Sequence, residues 1–121
     1  MQESPDTFLN QRRIEHGEAL ERALAKIVNH LSNIPEVKLI ILFGSYTTGR
    51  RDLFTDLDLV VVMSSELDFV TRTAELYREI TVEVDLDMLV YTPEEFERQR
   101  QKGFIRRALE KGQVLYEKKR S

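Results

Sequence analysis

The run Val37-Lys38-Leu39-Ile40-Ile41-Leu42-Phe43 constrains the fold most. It is short, rich in β-branched residues and nearly all apolar, which predicts a strand buried on both faces. Gly44-Ser45 ends it abruptly. A second run, Asp56 to Met63, opens on Asp56-Leu57-Asp58 and continues as Leu59-Val60-Val61-Val62, predicting another largely buried strand. Ser45 to Gly49 has room for one helical turn, and Arg50 to Thr55 reads as a loop returning to the second strand.

Helical periodicity surrounds these runs. Leu20, Leu24, Ile27, Val28 and Leu31 recur on one face of a first helix that is expected to start near Asp6 or Thr7, with Gly17 as a weak point. Phe69, Val70, Thr73, Leu76, Tyr77 and Ile80 mark a second helix over Leu67 to Ile80, with a serine from Ser64-Ser65 as its expected cap. Val82 to Tyr91 alternates apolar and polar residues with period two, so a third strand is expected there. Thr92-Pro93-Glu94-Glu95 combines an N-cap, a first-position proline and a capping-box glutamate, and predicts a helix from Pro93 to about Lys111. Gly103 is placed to break that helix, Gly112 to cap it, and Val114-Leu115-Tyr116 follows as a short extended stretch. The expected fold class is α/β: a small mixed sheet backed by helices, as one domain over residues 1–121.

The bulk chemistry narrows the function. Eighteen basic and 21 acidic residues give a net charge of −3, so nucleic-acid binding is not indicated globally and would need a local patch. Cysteine is absent and there are two histidines, which leaves hard oxygen ligands for any metal. No apolar run approaches membrane-spanning length, and Met1 to Asn10 lacks the basic flank and apolar core of a signal peptide. The cytoplasm is the expected location, with no membrane partner.

The chemistry lies where the apolar strands carry charge. Alternation places Asp56 and Asp58 on one face, about 6.5 Å apart at Cα for a rise of about 3.3 Å per residue. Two carboxylates at the mouth of an apolar strand repel each other unless a cation lies between them. Magnesium suits such an all-oxygen site completed by phosphates and water. Asp85 and Asp87 repeat the spacing on the third strand, and either, beside the first pair, would give the three acids that hold two ions for an in-line displacement. Gly44-Ser45, at a strand-to-helix turn, can bring backbone N–H groups and a hydroxyl to a phosphate. No Gly-x-x-x-x-Gly-Lys signature occurs, which argues against a P-loop enzyme.

Leu42-Phe43-Gly44-Ser45, ten intervening residues, then Asp56-Leu57-Asp58-Leu59-Val60-Val61-Val62, resembles the Gly-Ser-x10-Asp-x-Asp pattern of the DNA polymerase beta-like nucleotidyltransferases. The chain is most similar to their minimal members, antitoxin-type proteins with HEPN partners included, over about residues 18 to 116. The resemblance implies that family's fold, with Asp56 and Asp58 as metal ligands, Gly44 and Ser45 on the triphosphate, and a third-strand aspartate completing the site and helping to deprotonate the acceptor. Asp87 is preferred for that role from its distance to Thr92-Pro93, with Asp85 as the alternative. The implied reaction moves a nucleotidyl group, AMP from ATP first among them, to a hydroxyl and releases pyrophosphate, with two Mg²⁺ ions or Mn²⁺ in their place. Minimal members often carry arginine directly after Gly-Ser, where this chain has Tyr46. Arg50 is the candidate replacement, with Arg51 beside it.

The alternative function implied is that of an antitoxin-type interaction protein, neutralising a HEPN ribonuclease by binding or nucleotidylating it. A homo-oligomer is equally compatible with the residues. Arg98, Arg100, Lys102, Arg106, Arg107 and Lys111 could follow a phosphate surface, although a solvated helix face is the plainer reading. His16 and His30 are expected to be surface or capping residues, and Leu20, Leu24, Ile27, Leu76 and Tyr77 to be core.

Overall fold

A computed structural model describes residues 5–119. Helix α1 spans Pro5–Ser32, followed by β1 (Val37–Phe43), a short 3₁₀ turn (Ser45–Thr48), β2 (Leu57–Met63), α2 (Phe69–Glu79) and β3 (Leu86–Tyr91). Helices α3 (Pro93–Gln99) and α4 (Gly103–Lys111) then lead into β4 (Gln113–Glu117). The strands form one mixed sheet in the order β3-β2-β1-β4. Strand β1 is antiparallel to both neighbours, while β2 and β3 run parallel and are joined by α2 as the crossover that parallel pairing requires.

Both faces of the sheet are covered, and this explains the unbroken apolar runs. On one face Ile40, Leu42, Leu59 and Val61 pack with Leu20, Ile27 and Leu31 of α1 and Leu76 of α2. On the other, Ile41, Val60 and Val62 meet Phe96 of α3 and Ile105 of α4. Ile40, Leu59, Val60 and Val61 are fully buried between these layers. Among the described residues no helix is long and apolar enough to cross a membrane.

Several boundaries differ from expectation for local reasons. Strand β3 begins at Leu86, not Val82, because its partner β2 begins at Leu57 and the two pair directly. Upstream of Leu57 there is no strand for Val82 to Val84 to pair with, although Val84 is still buried in the core. Asp68, not a serine, caps α2, its side chain accepting from the Thr71 N–H at 2.8 Å. Ser65 instead accepts from Leu67 N–H in the preceding turn. Helix α1 continues unbroken through Gly17. The expected capping box is formed in full at Thr92 and Glu95. The helix it starts ends at Gln99, and a new one begins at Gly103 after Lys102 adopts an extended conformation. Gly112 is not a left-handed cap, since its φ is −82°. It is needed for close approach: a Cβ there would stand 2.5 Å from the Ala108 carbonyl and 2.9 Å from that of Leu42.

Candidate active site

The site forms where β1 ends and β2 and β3 begin. Because β1 is antiparallel to β2 while β3 is parallel to it, the end of β1 and the starts of the other two strands meet at one edge of the sheet. Phe43 faces Asp58 across β1 and β2, and Asp58 faces Asp87 across β2 and β3. Alternation puts Asp58 on the face of Val60 and Val62, so the carboxylates project to the side covered by α3 and α4.

Gly44 leaves β1 with φ 81° and ψ −162°, a region open essentially to glycine. Its bare Cα also makes room for Asp58, whose carboxylate would collide with a Cβ at this position. The turn that follows is pinned by its own hydroxyls: Thr47 donates to Gly44 O and Thr48 to Ser45 O, each at 2.7 Å. Gly49, at φ 87°, closes it with an N–H to Tyr46 O.

The return loop is built around Asp52. Its carboxylate accepts from Arg50 Nε at 2.5 Å and from Phe54 N–H at 2.8 Å, and the Arg50 hydrogen bond holds the carboxyl below its ordinary value. Thr55 is buried, and its carbonyl accepts from His16 Nε2 at 2.8 Å. That bond ties the residue before Asp56 to α1, so His16, expected to be a surface or capping residue, anchors the loop.

Asp56, Asp58 and Asp87 each offer a carboxylate oxygen, all within 4.8 Å of one another. Partial burial pushes the Asp58 carboxyl up to about 6, and the charges of Asp56 and Asp87 add to the shift. Three acids so close, with one already raised by its neighbours, make a donor set that fits hard divalent cations. Asp85 lies outside this group. It precedes β3, and its backbone carbonyl accepts from Leu57 N–H at 3.1 Å.

Arg50 is not turned to the Gly-Ser turn but paired with Asp52, near enough to Asp56 for that charge also to raise it. Arg51 lies with its guanidinium 3.6 Å from the centroid of the Tyr46 ring and donates to Tyr46 O at 2.9 Å. The position after Gly-Ser thus carries a cation, supplied by stacking on the tyrosine.

Two supports escaped sequence reading. The Tyr77 hydroxyl accepts from Met88 N–H at 2.6 Å and donates to Leu86 O at 3.1 Å, bracketing Asp87 on the outer edge of β3. Arg72 is buried, donating to Val90 O at 3.0 Å, Leu67 O at 2.8 Å and the Glu95 carboxylate. Glu95 also accepts from Thr92 N–H, so the capping box joins α2, β3 and α3. Both residues sit at helical spacing with core residues, and only the tertiary contact shows what their polar ends do.

Residues 25–121 match the family described as polymerase beta, nucleotidyltransferase. The chain is 32% identical over 100 residues to MJ0604 of Methanocaldococcus jannaschii, named as a candidate protein adenylyltransferase, covering 79% of this chain and 97% of that one. In structure it is similar to a Sulfolobus solfataricus protein described as a nucleotidyltransferase, at a TM-score of 0.61 and 19% identity over 87% of this chain and 86% of that one. It is also similar to a chain of a toxin–antitoxin crystal structure with AMP-PNP, at a TM-score of 0.53 and 25% identity, covering 81% and 73%.

Proposed function

The chain belongs to the polymerase beta nucleotidyltransferase family, and from that premise we propose that it transfers AMP from ATP to a hydroxyl acceptor with release of pyrophosphate. The observation that carries this reading is the convergence of Asp56, Asp58 and Asp87 beside the Gly44-Ser45 turn. Asp56, Asp58 and Asp87 would hold two Mg²⁺ ions, with Mn²⁺ able to replace them. When bound, those ions supply the positive charge that offsets charge growing on the attacking and leaving oxygens.

The chain's own residues do the rest. The Gly44 backbone and the Ser45 hydroxyl hold the triphosphate, with the glycine allowing close approach. Asp87 takes the acceptor proton on a carboxylate oxygen as the acceptor oxygen bonds to the α-phosphorus and the bond to the pyrophosphate oxygen breaks. Arg50 contacts phosphate after exchanging its Asp52 partner for the ligand. The work is positional and electrostatic, because β2, β3 and the residue leading into β2 hold three carboxylates in place before substrate arrives.

Kinship to a chain from a toxin–antitoxin complex favours a second reading, in which the protein neutralises a HEPN ribonuclease partner by binding it or by nucleotidylating it. Neutralisation that survives Asp56→Asn with Asp58→Asn would assign the function to binding, and its loss would assign it to transfer. The site itself is tested by crystals soaked with a non-hydrolysable ATP analogue and manganese. Anomalous peaks among Asp56, Asp58 and Asp87 are expected. Manganese bound only elsewhere would overturn the assignment.

A further inference from the structure

The basic residues of the C-terminal helices are not one continuous stripe. Arg100 pairs with Glu97 at 3.1 Å and Arg106 with Glu110 at 3.3 Å, each neutralised on its own helix. Arg107 and Lys111 have no carboxylate partner among the described residues. Instead they border a cleft of about 280 Å³ shared with Phe43, Ser45, Thr47 and Phe104. Phe104, Arg107 and Lys111 stand at positions i, i+3 and i+7, a single stripe of α4. Phe104 meets Phe43 edge to face at 5.6 Å, so the cleft has an aromatic wall directly beside the Gly-Ser turn.

The order of parts across the sheet gives the cleft a direction. The acids lie at the starts of β2 and β3, Gly44-Ser45 at the end of β1, and α4 packs against β1 on the face to which the carboxylates project. A triphosphate with its α-phosphorus at the acids and its chain over Gly44-Ser45 would point its terminal phosphates at α4. A cleft of this size takes part of a nucleotide, not a whole one. Two unpaired cations on an apolar wall suit phosphate, since a charge-assisted hydrogen bond strengthens as water is excluded.

We propose that Arg107 and Lys111, walled by Phe43 and Phe104, bind the β- and γ-phosphates of the nucleoside triphosphate and hold pyrophosphate as it leaves. This rests on the nucleotidyl-transfer reading and adds to it a binding site for the leaving group on α4.

The test is calorimetric titration of ATP, inorganic pyrophosphate and AMP, each with magnesium, into the full chain and its Arg107→Ala, Lys111→Ala, Arg107→Lys and Arg106→Ala variants, with label transfer from ATP measured alongside. Each alanine change at 107 or 111 is expected to weaken ATP and pyrophosphate about tenfold and to leave AMP unchanged, as loss of a charged phosphate contact should. Arg107→Lys should recover part of the loss, and Arg106→Ala should match the unaltered chain. If the unaltered chain transfers label and binds ATP, yet Arg107→Ala and Lys111→Ala bind ATP and pyrophosphate equally well, this inference fails alone. If the unaltered chain binds neither ATP nor pyrophosphate, it fails together with the transfer reading.

Discussion

Gly44 and Asp58 occupy space that only one of them can fill with a side chain: the aspartate carboxylate lies where a Cβ on the glycine would be. Gly44→Ala therefore faces both a collision and a positive φ of 81°. A strained backbone of this kind costs about 1–3 kcal/mol, and relief would come by pushing Asp58 out of register with Asp56 and Asp87. Urea unfolding should show a loss in that range, and manganese titration a weaker site. A Gly44→Ala chain with unchanged stability and metal affinity would mean that the close approach is unimportant.

Asp58 sets a pH dependence whose sign can be stated. Its folded value of about 6 lies above the ordinary 3.8, so the folded chain holds a proton that the unfolded one has lost between those values. The resulting stabilisation is fully present below pH 3.8 and is lost as pH rises through about 6. The metal-free protein should therefore lose melting temperature from this group between about pH 4 and pH 6. Added Mn²⁺ should raise the melting temperature at pH 8 and do so less as pH falls through 6, because protons compete for the ligand. Thermal scans at several pH values check both trends, and Asp58→Asn should flatten them.

Tyr77 holds β3 on either side of Asp87, so its hydroxyl is a positioning group for that acid. Tyr77→Phe leaves the buried Met88 N–H without its partner, a loss of about 1–3 kcal/mol. Displacing Asp87 should lower kcat by about tenfold, the effect of roughly 1.4 kcal/mol in the barrier, with KM for ATP little changed. A purely structural tyrosine would leave kcat intact once the protein is folded.

Arg72 donates hydrogen bonds from inside the protein to β3, to the turn before α2 and to α3. Removing it leaves the buried Val90 carbonyl without its side-chain donor and Glu95 with Thr92 alone, a loss of about 1–3 kcal/mol. Arg72→Ala should fall in that range by chemical denaturation, and Arg72→Met should lose less by refilling the volume. Glu95 is more exposed and keeps Thr92 as a partner, so Glu95→Gln should cost less than Arg72→Ala.

How much of this was legible depends on whether the signal was local. Strand β1 was readable to the residue, because a seven-residue run with six apolar positions, ended by Gly44-Ser45, has few other uses. The capping box at Thr92 was equally plain, since all its partners lie within four residues. The start of β3 was not, because it is set by where β2 begins, 29 residues upstream in the Leu57 and Leu86 pairing. Asp56 and Asp58 could be grouped from spacing alone. Asp87 was preferred over Asp85 from the family resemblance and its distance to Thr92-Pro93, and the parallel register, invisible in the sequence, sets Asp87 against Asp58. Arg50 kept its place in the right loop, but its pairing with Asp52 was invisible in the sequence. Tyr77, Arg72 and His16 share a reason for being missed: each acts through a backbone or side-chain group far along the chain.

The central claim is transfer at Asp56, Asp58 and Asp87, and the most direct measurement is label transfer from ATP carrying label on its α-phosphate. The chain is incubated with that ATP, magnesium and candidate acceptors, a co-expressed HEPN protein among them, beside the Asp56→Asn/Asp58→Asn double variant. The expected result is label on an acceptor and pyrophosphate in solution, both abolished in the double variant and in metal chelator. Label transferred equally well by the double variant, or by neither protein to any acceptor, would contradict it.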